Sequence, residues 1–259
     1  MSAAKLALRD VSVGYGPRQV IHDVTLDIPA GAVTTLIGPN GCGKSTLLKS
    51  MCGLLEHSGE ILLDARPLHT YPRRERARLL TMLPQTPTAP EGLTVRQLIA
   101  RGRHPHQSWL QRWSAADEQA VDEAVRAAGL EELVDRGVGT LSGGQRQRVW
   151  IAMVLAQDTA TVLLDEPTTY LDLAHSLKVL ELVTELQATA GRTIVMVLHD
   201  LNLAARFSDH LIIVGPDGRI AATGTPGQVL TEANLAKAFR LSALVSEDPV
   251  SGGPLVIPR

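Results

Sequence analysis

Residues Ala32–Thr46 read AVTTLIGPNGCGKST, and this stretch decides the fold. A short apolar run with buried-strand character feeds a loop with three glycines among its first six residues, and an amphipathic pattern of period 3.6 resumes from Ser45. The order is therefore strand, glycine-rich loop, helix. Gly38, Pro39, Asn40, Gly41, Cys42, Gly43, Lys44 and Ser45 fill every position of the phosphate-loop pattern. In that pattern glycines let backbone N–H groups turn inward around phosphates, the lysine neutralises the β and γ phosphates, and the serine hydroxyl faces Mg²⁺. A structural glycine turn is the bland alternative, and the strand before and helix after weigh against it. Cys42 reads as a small loop residue, with no resolving cysteine nearby to suggest redox chemistry.

The rest of the chain is organised around this unit. On the N-terminal side, KLALRDVSVGYG and QVIHDVTLDI alternate apolar and polar residues, which predicts a small antiparallel sheet. From Gly92 to Ala156 the pattern turns helical, with Ser114 as an N-cap and Asp117 three positions later. The boundaries are a core over 1–85 and 158–259 and an inserted helical lobe over 86–157. Strand character returns in TVLLDEP and TIVMVLH, separated by a helix through Leu173, Leu177, Leu180 and Leu186. LNLAARFS, TPGQVL and ANLAKAF read as helices, and HLIIVG and GRIAATG as short strands. The final EDPVSGGPLVIPR is a tail or an edge strand.

Composition sets limits. The chain has 259 residues, of which 44% are hydrophobic, enough for one large α/β domain. Its 25 basic and 27 acidic residues give a net charge of −2, and no basic stripe points to nucleic acid. Two cysteines at no metal or redox spacing fit free thiols in a reducing compartment, for which the cytosol is the best match. No apolar run reaches membrane-spanning length, so membrane association is expected to come through a partner.

Further chemistry gathers at strand ends. A phosphate loop needs a metal-side carboxylate, and VLLDEP supplies Asp165 for Mg²⁺ and Glu166 to orient or deprotonate a water. Parallel strands deliver their C-terminal ends to one crevice, so His199 can reach the γ phosphate and Gln85 can add an amide oxygen to the metal. Each is an ordinary polar strand tip when taken alone.

Leu141–Arg148, LSGGQRQR, lies between the glutamine segment and the DE strand, with His199 beyond. In this order the set resembles the ATP-binding cassette ATPases, over roughly residues 6–230. The resemblance implies an α/β phosphate-loop NTPase with a mostly parallel core sheet, an antiparallel N-terminal β subdomain and an inserted helical subdomain. It implies ATP and Mg²⁺ as ligands and a head-to-tail homodimer, in which Leu141, Ser142, Gly143, Gly144 and Gln145 cap the γ phosphate held by the partner's phosphate loop. Helix N-termini are suited to that task. The family also implies Thr46, at the loop's end, as an ATP-binding residue and Tyr15 as the aromatic against adenine, although a core or surface tyrosine has the same appearance. Asp172 corresponds to the loop crossing the dimer interface, and Tyr170 departs from the small residue usual nearby.

The segments ARGRHPHQSWLQRWS, QRQRVWIAMVLAQD, DEPTTYLDLAHS and MVLHDLNLAARFSDH resemble the ATPase subunits of ferric-siderophore importers, with haem and cobalamin importers as relatives and a soluble non-transport cassette as the more distant alternative. This likeness implies integral membrane permease subunits, an extracytoplasmic binding protein, no nucleic acid, and a peripheral place on the cytoplasmic face of the membrane. For coupling to the permease, Arg103 and Trp109 are expected at the surface, while Trp113 is expected to anchor the lobe.

Overall fold

The computed structural model describes residues 4–107, 113–169 and 171–259. Strands β1 (Ala4–Tyr15) and β2 (Arg18–Pro29) form the expected antiparallel pair. Then come β3 (Val33–Ile37), helix α1 (Lys44–Met51), β4 (His57–Leu63), β5 (Arg66–Pro67), α2 (Arg73–Leu79) and β6 (Leu80–Leu83). Helices α3 (Val95–Ala100), α4 (Ala115–Ala127) and α5 (Gly143–Ala156) pack on one another. The chain returns through β7 (Thr161–Asp165), α6 (Leu173–Ala190), β8 (Thr193–Val197), α7 (Leu201–Arg206), β9 (His210–Val214) and β10 (Ile220–Gly224). It closes with α8 (Pro226–Val229), α9 (Glu232–Phe239), β11 (Ala243–Glu247) and β12 (Pro254–Pro258).

The central sheet has the order β10-β9-β3-β8-β7-β6 and is parallel except for the edge strand β10. β3, β7 and β8 are buried at every position, as strands covered on both faces must be. Successive side chains serve different cores. Ile194 and Met196 join the helical lobe and α6 on one face, while Val195 and Val197 pack with β1, β2, β4 and α1 on the other. The second sheet, β2-β1-β4-β5, closes that other face. With β7, β3 and β8 adjacent and parallel, the loops after Asp165, Ile37 and Val197 leave the sheet at the same end.

The helical lobe is pinned by a buried ion pair. Arg103, 6% exposed, donates from Nε to Asp117 Oδ1 at 2.9 Å and from Nη1 to the Ala156 carbonyl at 2.7 Å. It thus ties the turn after α3 to the first turn of α4 and the end of α5. Asp117 also completes the capping box of α4, accepting from the Ser114 amide and hydroxyl. The expectation of Arg103 as a permease-facing surface residue is corrected: the guanidinium is buried and turned inward, bonded to Asp117 and the Ala156 carbonyl. Trp109, expected as its companion, lies outside the described residues, as does Tyr170. Trp113 does not anchor the lobe either, being 44% exposed with its indole N–H bonded to Glu118.

The terminal stretch is half of a two-stranded antiparallel sheet, β11 against β12, with Val245 opposite Val256. The intervening turn closes through Asp248 and Gly253.

Candidate functional site

The loop between β3 and α1 is shaped by its glycines. Gly43, at φ 102°, occupies a conformation L side chains rarely adopt, and a Cβ there would stand 2.6 Å from Ile21 Cδ1. β2 therefore presses directly on the loop's backbone, with no room for another residue type. Lys44, the first residue of α1, is buried, and its ammonium donates to the carbonyls of Gly38 at 2.9 Å and Pro39 at 3.0 Å. The lysine charge is thereby held inside the loop's curve. Cys42 is buried beside it, and burial pushes its thiol up despite the opposing Lys44 charge, so it is no reactive thiolate.

Asp165 ends β7 at 1% exposure. Ser45 Oγ donates to its Oδ1 at 2.7 Å, while Oδ2 is buried with no hydrogen-bond partner. Burial raises the Asp165 carboxyl above the ordinary aspartate value, and the neighbouring Glu166 charge adds to that effect against the Ser45 bond. An orphaned carboxylate oxygen beside a serine hydroxyl at the mouth of a phosphate loop suits a hard divalent cation, which would supply the missing positive charge. The residues present therefore fit Mg²⁺.

Glu166 follows with φ 52°, a left-handed backbone that marks the sharp exit from the strand. Its Oε2 accepts from Gln85 Nε2 at 2.6 Å and from Thr169 Oγ1 at 2.8 Å, and its Oε1 lies 2.6 Å from His199 Nε2. Burial alone would raise this carboxyl. The Thr169 and His199 hydrogen bonds, the His199 charge and the Gln85 bond outweigh it and hold the group below the ordinary glutamate value. Glu166 is thus an ionised acceptor at neutral pH, and the amide donation by Gln85 leaves that residue's oxygen for another partner. Asn40, Gly41, Gly43, Lys44, Ser45, Gln85, Glu166 and His199 line a single cavity of about 360 Å³. Tyr15 is not part of that lining; it is half exposed, with its hydroxyl 3.5 Å from Thr46 Oγ1.

Leu141–Gln145 do not line this cavity. Ser142 is the N-cap of α5, its hydroxyl accepting from the Gln145 amide at 3.2 Å while the Gln145 side chain accepts from the Ser142 amide at 3.0 Å. Around Gly143 the space is open where a side chain would begin, and Gly144 lies under the His175 ring. His175 is bonded in turn to Asp172, the N-cap of α6. The sequence-derived residues therefore form two separate groups in one chain: a phosphate-loop cavity and an outward-facing helix N-terminus. Thr169 belongs to the first group and was not anticipated, although the EPTT run places a hydroxyl three residues after the glutamate.

A groove of about 510 Å³ runs between Pro87–Leu93 and Val138, Gly139, Arg146 and Trp150, directly beyond Gln85. Neither Arg103 nor Trp113 borders it.

With this geometry in place, comparison with known proteins is informative. The family model described as "ABC transporter" matches residues 21–169. The chain is 49% identical to the probable siderophore transport system ATP-binding protein YusV of Bacillus subtilis, covering 100% of this chain and 94% of that protein. It is 46% identical to the ferric enterobactin transport ATP-binding protein FepC of Escherichia coli, over 99% and 95% of the two chains. The hemin import ATP-binding protein HmuV of Pseudomonas entomophila is 42% identical over 94% and 96%. Among solved structures, an ABC transporter assigned to the metal-chelate type, in an inward-facing conformation, superposes with a TM-score of 0.85 at 26% identity, over 99% and 98% of the chains. The dimeric structure of a bacterial ABC transporter cassette gives 0.76 at 27%, over 85% and 98%. Phosphate loop, carboxylate pair and sheet order thus agree with sequence and structural likeness over essentially the whole length, and the chain belongs to the ABC transporter family.

Proposed function

We propose that this chain is the ATP-hydrolysing subunit of an importer that carries an iron(III)–siderophore complex across the cytoplasmic membrane. It works at the cytoplasmic face as a head-to-tail homodimer, beneath integral membrane permease subunits served by an extracytoplasmic binding protein. The observation that carries the reading is the convergence of Lys44, Ser45, Gln85, Glu166 and His199 on one cavity.

In this reading the amides of Gly41–Ser45 and the Lys44 ammonium bind the β and γ phosphates, the ammonium exchanging the neutral carbonyls of Gly38 and Pro39 for charged oxygens. Ser45, Asp165 and Gln85 would hold Mg²⁺, which when bound would neutralise phosphate charge. Glu166, ionised and fixed by Thr169, orients a water in line with the γ phosphorus and accepts its proton. The bond from that phosphorus to the β–γ bridging oxygen breaks, giving ADP and inorganic phosphate. His199 donates to a γ-phosphate oxygen. Tyr15 stacks on the adenine. The N-terminus of α5, with Leu141, Ser142, Gly143, Gly144 and Gln145, caps the γ phosphate of the partner's nucleotide, and Asp172 lies at the dimer contact. The groove bounded by Pro87–Leu93 and Trp150 receives a permease segment.

The cargo rests on relatives. Proteins named for siderophore, petrobactin, achromobactin or ferric enterobactin transport are 46–50% identical to this chain, and those named for hemin import 41–42%. That order favours a siderophore over haem. The test is uptake of radiolabelled ferric siderophore in cells whose own copy is deleted, with this chain or its Glu166→Gln variant supplied in trans. Uptake restored by the wild type alone is the expected result; restoration of haem uptake but not siderophore uptake would refute the assignment.

A further inference from the structure

We propose that the C-terminal hairpin β11–β12, which lends no atom to the cavity, positions His199 through Asn202. The inference rests on the role given to His199 above. His199 ends the run from β8, its side chain is 45% exposed, and Asp200 immediately begins α7. With so little burial, the imidazole is held by its contact with Glu166 and by the backbone on either side. On the β8 side the backbone is locked in the central sheet. On the other side it depends on α7, a helix of 6 residues that is too short to hold itself.

Two sets of bonds fix α7. Asp200 Oδ1 accepts from the amides of Asn202 at 2.8 Å and Leu203 at 2.9 Å, closing the first turn. The Asn202 side chain then reaches out of the helix. Its Nδ2 donates to the Val256 carbonyl at 3.2 Å, and its Oδ1 accepts from the Val256 amide at 2.8 Å. A carboxamide is chemically a peptide group, so Asn202 acts as one further strand residue at the edge of β12. Val256 is itself 4% exposed and part of the main core, with Val245 opposite it, and the Arg259 amide closes the hairpin on the Ser242 carbonyl at 2.9 Å. The chain's last strand is thus fastened three residues from the histidine that touches Glu166.

Steady-state ATPase of the full-length chain, with ATP varied, tests this. Asn202→Ala should lower kcat about tenfold, within the range that misplacing a reacting group produces, and leave KM for ATP within about twofold, because the phosphate loop is untouched. Asn202→Asp keeps the acceptor for Val256 N–H and loses the donor, so it should fall between the two. Leu244→Ser, on the exposed face of the hairpin, should match the wild type. The decisive comparison is the pair of His199→Ala with and without Asn202→Ala. If Asn202 acts through His199, the double variant is no slower than His199→Ala alone. Multiplying losses, or an Asn202→Ala that lowers thermal stability while keeping wild-type kcat, would overturn the inference. A His199→Ala with wild-type kcat would overturn the role of His199 itself, and this inference with it.

Discussion

Arg103→Ala should damage the helical lobe rather than its surface. Truncation removes the guanidinium that bridges Asp117 and the Ala156 carbonyl, and both members of the ion pair are only 7% exposed. What remains is a buried carboxylate without its counter-charge, still engaged in capping α4. Breaking a buried pair from one side costs about 3–5 kcal/mol. For a chain of this size, at roughly 2–4 °C per kcal/mol, the apparent Tm should fall on the order of 10 °C. The pH dependence carries the mechanism. Burial raises the Asp117 carboxyl, but the Arg103 and Ser114 bonds outweigh it and hold the group below the ordinary aspartate value. A depressed carboxyl contributes stability that is complete above its unfolded pKa and is lost as pH falls through the folded one. In Arg103→Ala the same carboxyl keeps its Ser114 bonds but loses the Arg103 bond and charge that opposed burial, so it moves up from its wild-type position and acidification relieves the variant before it weakens the wild type. The stability gap should be widest near neutral pH and close on acidification, as read by thermal melts across a pH series. A variant within about 1 kcal/mol of wild type at pH 7, or a gap that widens in acid, would refute the account of this pair.

Three further outcomes bear on the nucleotide site. Lys44→Ala should abolish nucleotide binding, measured by titration with a fluorescent ATP analogue, because phosphate charge in that loop loses its cation; wild-type affinity would contradict this. Glu166→Gln should keep binding and lower hydrolysis about 10²–10⁴-fold, leaving a dimer in ATP and Mg²⁺ by sedimentation; a monomer under those conditions would count against it. Ser142→Arg and Lys44→Ala subunits, each inactive alone, should recover activity on mixing because one composite site in the pair is whole. No recovery at any ratio would weaken the assignment of α5 to the partner's nucleotide.

Local chemistry was legible in the sequence where it is written locally. The phosphate loop announces itself because strand, glycines and helix are contiguous, and the α4 cap because Ser114 and Asp117 are three residues apart. The DE pair and His199 were legible because parallel strands bring their ends together. Pairings across distance were not. Arg103 looked like a surface charge because its counter-ion lies 14 residues on, beyond a stretch with no regular pattern. The terminal PLVIP reads as a tail or an edge strand and is a strand, but its bond to Asn202 was not legible, because that residue lies 54 positions back, in a helix whose sequence signals only its own turn. β4 was missed because only its last residues alternate in burial, its first half being polar and open. α2 was missed for a related reason, since RRERARL buries no side chain and offers no apolar face to read.

The bond from Gln85 to Glu166 places a mechanical constraint on the molecule. Gln85 is bonded to the carboxylate at 2.6 Å, and Pro87, two residues along the chain, already forms the wall of the groove. Two residues span at most about 7 Å, and the proline ring removes one of the few torsions left between them. Such a tether has almost no slack. Withdrawing the groove wall by an ångström would stretch a hydrogen bond past its useful range, so whatever occupies that groove holds one end of a short stiff link whose other end is the Glu166 carboxylate, the group to which the proposed mechanism assigns the attacking water.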